Sequence, residues 1–309
     1  MKELRDRVVG EVRKVVVGQD HVVEVLLAGT ATGGHVLLEG VPGVAKTLLA
    51  NAYARAIGVD FKRVQFTPDM LPSDLTGTMT LRAGDLAFRP GPVFTNLLLA
   101  DEINRTPPKT QAALLEAMQE RQVSVDGMAR PLPEPFVVVA TQNPIEYEGT
   151  YPLPEAQLDR FIAKLDVGYP RESDEAAMLR LAHRGVAPAT LDDVRTVTTP
   201  GELLGLRDLV DATTVADPIV AYVVALVRRT RELPSVELGA SPRAAVHLLA
   251  ASKAAARLAG REYVIPDDVA AVAPAVLRHR LTLRPEAELE RYTADDAVGA
   301  TIASVPVPR

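Results

Sequence analysis

Four short runs constrain this chain more than any other feature. HVLLEG (35–40), FKRVQF (61–66), NLLLAD (96–101) and PFVVVAT (135–141) each have the look of a buried strand. Segments rich in helix formers lie between them, most clearly KTLLANAYARAI (46–57) and KTQAALLEAMQER (109–121). Strands alternating with helices predict an α/β fold with a parallel sheet covered on both faces. With 309 residues, 47% of them hydrophobic, the chain can fill such a core.

Two stretches break the alternation. TMTLRAGDLAFRPGPVFT (78–95) alternates around Ala83-Gly84-Asp85, and QVSVDGMARPLP (122–133) carries Asp126-Gly127 between short alternating runs. Both are hairpin signals. Residues 1 to about 30 have valines and a leucine at helical spacing and predict helix. Beyond Tyr169-Pro170 the chain becomes rich in alanine and leucine, with helical pieces at 172–184, 218–233 and 241–260 and another opening at Pro266. This places a boundary near 170: a sheet-bearing core over 1–170 and an all-helical domain over 171–309. The stretch after about 285 is either packed on that helical domain or mobile.

Composition excludes several classes. The balance of 34 basic against 40 acidic residues, net −6, argues against a broadly basic nucleic-acid surface. The absence of cysteine excludes disulfides and thiolate metal sites. His21, His35, His183, His247 and His279 are scattered without metal-ligand spacing and are read as structural or surface residues. The N-terminus mixes charges with valines, unlike a signal peptide. No run approaches the ~18 apolar residues of a membrane span. The expectation is a cytoplasmic protein without membrane insertion.

The first strand leads into GVPGVAKT (40–47) and then a helix. A phosphate loop has Gly, four residues, Gly, Lys and Ser or Thr in that setting. Here Ala45 replaces the second glycine, so a Gly-Pro turn capping an ordinary helix is the competing reading. Lys46 and Thr47 suit phosphate and Mg²⁺. NLLLAD then ends in Asp101, followed by Glu102. Asp101 could hold a hydrated Mg²⁺, and Glu102 could polarise an attacking water. PFVVVATQNP ends in polar residues, among them Asn143, whose amide could orient that water. LDRF (158–161) and GASPR (239–243) each add an arginine, of a kind that can stabilise transferring phosphate.

The order lysine loop, Asp-Glu strand, Asn strand, Arg, Arg resembles that of the AAA+ ATPases. GVPGVAKT, LLLADEINR, VVVATQNPIEYEGTYPLPEAQLDRF (137–161) and GASPRA more closely resemble the MoxR family, in the branch with a helix-2 insert. The resemblance covers most of 15–285 and implies a P-loop NTPase core with a C-terminal helical lid. It implies an ATP site formed by Val17, Gly18 and Gln19 beside the adenine and by Gly40, Pro42, Gly43, Val44, Ala45, Lys46, Thr47 and Leu48 around the phosphates. Thr47 and Asp101 become the Mg²⁺ residues, and Glu102, Asn143, Arg160 and Arg243 the catalytic set. In this family an alanine before the lysine is usual. The hairpins at 78–95 and 122–133 resemble the helix-2 insert and the pre-sensor-1 hairpin.

An arginine finger at Arg160 acts across an interface, so the resemblance implies a ring, most often a hexamer. Arg243 could serve its own site or a neighbour's. Arg105 and Arg121 are either second trans arginines or helix-surface charges. The implied function is ATP-driven, chaperone-like remodelling or maturation with a von Willebrand factor A-type partner and an unidentified client. An ATP-gated assembly module with slow turnover is the alternative, and a DNA motor is disfavoured by the acidic charge. Ala45 is expected to have right-handed helical dihedrals, because only positive φ makes glycine nearly obligatory.

Overall fold

The structure, a computed structural model, describes residues 1–82, 85–143, 150–182 and 188–308. Ala83 and Gly84 of the first hairpin turn, residues 144–149 of the long motif run and His183 lie outside the described residues. The chain divides into two compact units, one of Glu3–Leu153 with Leu165–Leu204, the other of Met1–Lys2, Pro154–Lys164 and Gly205–Arg309.

In the first unit the opening helical stretch is two helices, α1 (Lys2–Val12) and α2 (Asp20–Thr32). Gly18, at φ 79°, turns the chain between them. Next come β1 (Val36–Glu39), α3 (Lys46–Ile57), β2 (Phe61–Gln65) and the short α4 (Pro72–Thr76). The first hairpin pairs β3 (Gly77–Arg82) with β4 (Asp85–Pro90). β5 (Leu97–Asp101) and α5 (Pro108–Glu120) lead to the second hairpin, β6 (Gln122–Val125) with β7 (Met128–Pro131). Its turn has φ 49° at Asp126 and 72° at Gly127, the positive pair that a two-residue Asp-Gly turn favours. β8 (Val137–Gln142) follows. The chain then passes through α6 (Glu155–Leu158) and β9 (Ala163–Asp166) into α7 (Glu172–Ala182).

The sheet order is β2-β5-β8-β1-β9. The β2–β5, β5–β8 and β1–β8 pairs are parallel, as the alternation of strands and helices predicts. β5 is buried along its whole length and β8 up to Thr141. Such two-sided burial explains their near-continuous Leu and Val runs. On α3, the buried Tyr53 hydroxyl shares a 2.8 Å hydrogen bond with Thr30 Oγ1, which also donates to the Leu26 carbonyl at 2.9 Å. Parallel pairing brings the ends of β1, β5 and β8 to one edge, with Glu39 opposite Gln142.

The division between units differs from a single cut near 170. Residues 165–204 stay with the sheet because the segment around 194–198 is bound to the end of α3. Val197 N–H donates to the Ala56 carbonyl at 2.8 Å, and Arg55 Nε donates to the Val194 carbonyl at 3.0 Å. Conversely, 154–164 joins the helical unit although it precedes 170.

α8 (Pro200–Asp211) carries the chain into the second unit. That unit contains α9 (Asp217–Thr230), β10 (Val236–Leu238), α10 (Pro242–Leu258), α11 (Pro266–Leu277), β11 (Thr282–Leu283), α12 (Pro285–Leu289) and α13 (Ala294–Ser304). It is mainly helical, with a small β10–β11 ladder. Leu226, Leu248, Val269 and Val298, from α9, α10, α11 and α13, are fully buried. The stretch after 285 is therefore ordered: α13 buries Ala297, Val298 and Thr301, and Thr293 caps it by accepting the Asp296 N–H. Among the described residues no helix is long and apolar enough to cross a membrane.

His247 on α10 accepts a 2.6 Å hydrogen bond at Nδ1 from Arg280 Nη2. Burial first, and Arg280 second, push its pKa down to about 4. An unfolded imidazole titrates near ~6.5, so on acidification the unfolded chain binds its proton first. This contribution is fully present above about pH 6.5 and is lost as pH falls towards 4, about 3 kcal/mol in all. Buried His279 is displaced in the same direction. Urea titrations at pH 7 and pH 4.5 are expected to show a smaller acid loss for His247→Gln than for the parent; equal losses would place the acid sensitivity elsewhere.

Candidate active site

The loop between β1 and α3 is shaped by two constraints. At Gly40 a Cβ would meet the Val167 carbonyl oxygen at 2.3 Å, so close backbone approach excludes any side chain. Gly43 has φ 87° with nothing within 4 Å of a Cβ position, so its conformation, not crowding, favours glycine. Ala45 has φ 61° and ψ 24°, the left-handed region. This overturns the expectation of right-handed dihedrals. The loop turns through positive φ at 43 and again at 45, and α3 begins only at Lys46, so Ala45 precedes the helix as its N-cap. Its carbonyl already accepts the Leu49 N–H at 2.9 Å. A left-handed non-glycine residue costs about 1–2 kcal/mol, and the small alanine side chain keeps the position sterically feasible.

Lys46 Nζ donates to the carbonyls of Gly40 and Val41, so the cation lies over the loop. Burial pushes its pKa down, and the charges of Asp101, Glu102 and Glu39 oppose that shift. Asp101, 7% exposed, is met by donors from three elements. Thr47 Oγ1 lies 3.3 Å from Oδ2, Thr141 Oγ1 2.6 Å from Oδ1, and Arg63 Nε 2.9 Å from Oδ2. Glu102 follows the strand at φ 58°, its N–H donating to Thr141 Oγ1 at 2.9 Å. Its Oε2 accepts from Gln65 Nε2 at 2.5 Å and pairs with Arg105 Nε at 3.0 Å.

Lys46, Thr47, Asp101, Glu102 and Thr141 open onto one cavity of about 720 Å³ within the first unit. From the expected nucleotide set, Val17, Gln19 and every residue from Pro42 to Leu48 line it, together with Asp101, Glu102 and Asn143; Gly18 and Gly40 do not. The volume falls in the ~300–1,000 Å³ range of small-molecule sites. A hydroxyl and a carboxylate beside a lysine are hard oxygen donors next to a cation, and they fit Mg²⁺ with a polyphosphate. Apolar Val16, Val17 and Met178 also line the cavity and fit a nucleobase.

Several residues of the site were not expected. Tyr169 and Pro170 line the cavity from the end of the expected core, and Glu175, Met178 and Asp193 line it from the segment assigned to a separate domain. Arg63 and Gln65 were accessible from period-two alternation, which puts them on one face of β2. The register then sets Gln65 opposite Asp101. Arg121 caps α5 at φ 52° and donates to the Gly33 carbonyl at 2.6 Å, a structural role. Arg160, just after α6, and Arg243, in the first turn of α10, belong to the second unit.

A parallel sheet whose strand ends bring a lysine loop and paired acids to one cavity defines a nucleotide-hydrolysing P-loop class. Comparison with known proteins narrows this. A family model described as "ATPase family associated with various cellular activities (AAA)" matches residues 35–163, and an AAA lid domain model matches 228–300. The chain is 48% identical to YeaC of Bacillus subtilis, over 99% of this chain and 95% of that protein. It is 46% identical to Chaperone MoxR1 of Mycobacterium tuberculosis, over 98% of this chain and 82% of the relative. A crystal structure of a candidate ATPase from Cytophaga hutchinsonii superposes with TM-score 0.91 at 41% identity, covering 99% of this chain and 96% of that one. The chain belongs to the MoxR family of AAA+ ATPases.

Ala45→Gly tests the strained loop. Releasing the left-handed alanine is expected to raise stability by about 0.5–1 kcal/mol, net of the greater freedom of glycine in the unfolded chain. A lower urea midpoint for the variant would show that Ala45 is not strained.

Proposed function

We propose that this ATPase hydrolyses the β–γ phosphoanhydride bond of Mg²⁺-ATP and uses turnover to remodel or mature other proteins in the cytoplasm. The observation that carries the reading is the convergence of Lys46, Thr47, Asp101, Glu102 and Asn143 on one cavity. Lys46 would neutralise the β and γ phosphates, and Thr47 and Asp101 would hold Mg²⁺. When bound, the metal ion offsets charge on the phosphate oxygens. Glu102 accepts the proton of the attacking water, and the Asn143 amide orients that water. Arg160 reaches the γ-phosphate of a neighbouring subunit in a ring, most simply a hexamer, and Arg243 contributes from the lid. The name of the relative MoxR1 supports a chaperone-like role. The likeness of the motifs to the family supports a von Willebrand factor A-type partner that presents the client.

The grip of Gln65 and Arg105 on Glu102 Oε2 favours slow basal turnover. This is the one observation in favour of an ATP-gated assembly module.

Two measurements test the proposal. Glu102→Gln is expected to bind ATP while Mg²⁺-dependent phosphate release falls about 10²-fold or more; a parent no faster than this variant at any protein concentration rules out hydrolysis as the function. Arg160→Ala is expected to lose turnover and keep ATP binding, and mixing with Glu102→Gln subunits should restore part of the activity, because one of the two kinds of mixed interface combines the intact Glu102 of an Arg160→Ala subunit with the intact Arg160 of a Glu102→Gln neighbour. Parent-like turnover by Arg160→Ala would remove the finger assignment.

A further inference from the structure

Arg280 ends the short turn Arg278–Arg280 after α11, and its side chain is 1% exposed. Its guanidinium faces the segment 159–162. Nε donates to Asp159 Oδ1 at 2.7 Å. Nη2 donates to the carbonyls of Asp159 at 3.1 Å and Phe161 at 2.5 Å, and also to His247 Nδ1. Nη1 donates to the carbonyl of Val276 and, at 3.5 Å, to that of Ile162. Carbonyls on both sides of Arg160 thus end on one buried cation. The other oxygen of Asp159, Oδ2, accepts from Ser241 Oγ at 2.9 Å and lies 3.8 Å from Arg243 Nη1. Ser241 Oγ also accepts the Ala244 N–H at 3.3 Å and so caps α10 directly ahead of Arg243.

One carboxylate therefore joins the segment carrying Arg160 to the helix start carrying Arg243, and one buried guanidinium anchors that carboxylate. We propose that Arg280, acting through Asp159, is a positioning residue that sets Arg160 and Arg243 as a coupled pair for phosphate chemistry. This rests on the reading of those two arginines as transition-state groups. Apolar side chains could fill the same space with equal stability. A guanidinium with this many directed partners instead fixes the course of the 159–162 backbone, and a shift of either arginine is felt by the other through Asp159.

The test places Asp159→Asn and Arg280→Met in the full-length parent and in an Arg160→Ala/Arg243→Ala background. In the parent, both are expected to lower turnover at saturating ATP about tenfold or more while fluorescent-ATP affinity changes less than about twofold. In the double-alanine background, the same substitutions should change residual turnover less than about twofold, because the groups they position are gone. Amide hydrogen exchange over 154–164 should be faster in Arg280→Met. Parent-like turnover of Asp159→Asn, an undiminished effect in the double-alanine background, or unchanged exchange would overturn the proposal. Asp159→Asn keeps the shape and the acceptor oxygen of the carboxylate and carries the test if Arg280→Met does not fold. Full turnover of the double-alanine protein would instead defeat the underlying reading of the arginines, and exchange over 154–164 would still decide whether Arg280 holds the segment.

Discussion

Asp101 is a carboxylate buried at the end of a strand that is itself buried throughout, and a charge in that position persists only where donors meet it. They come from α3 through Thr47, from β8 through Thr141 and from the edge strand β2 through Arg63. Satisfying this one group requires β2, β5, β8 and the start of α3 to be in register at the same sheet edge. The same requirement brings Lys46, Glu102 and Asn143 to a common cavity. The buried acid is thus both a structural joint of the sheet unit and part of the wall of its cavity.

Two left-handed residues flank that joint. Ala45 and Glu102 are both left-handed, and each directly follows or precedes a regular element. Non-glycine residues keep such conformations only where surrounding structure over-determines them, and they cluster at functional sites. Here the supports are identifiable: Ala45 is held between the Gly43 turn and the first bond of α3, and Glu102 by Thr141, Gln65 and Arg105. The alanine that departs from the common phosphate-loop pattern changes a residue without changing the left-handed geometry that glycine would supply.

Much of the sheet and the chemistry was legible because it is local. An apolar run ending in Asp-Glu, or in Thr-Gln-Asn, announces both a buried strand and a polar end. β9 was not legible, since Ala163–Asp166 is four residues long and alternates with Lys and Asp. The helix α8 and the break between α1 and α2 were also missed. The ligands of Glu102 needed register: nothing in FKRVQF alone says that Gln65 lies opposite Asp101. The division into units is not linear in sequence, because 154–164 finds its partners on Arg280 and Ser241, 121 and 82 residues from Asp159, whereas 165–204 finds them on α3. The dihedrals of Ala45 failed as an inference because they follow from where the helix starts, which the run of helix formers places no better than one or two residues.

Gly40 opens the phosphate-loop pattern, yet its neighbour is the Val167 carbonyl at 2.3 Å from a would-be Cβ. Val167 leads within three residues to Tyr169 and Pro170, which form part of the cavity wall. The loop between β1 and α3 and the chain leading to Tyr169 are therefore in backbone contact at a point where not even a methyl group fits. A residue that does not line the cavity thus governs how closely two of its lining segments approach, and any side chain at position 40 would force those backbones apart.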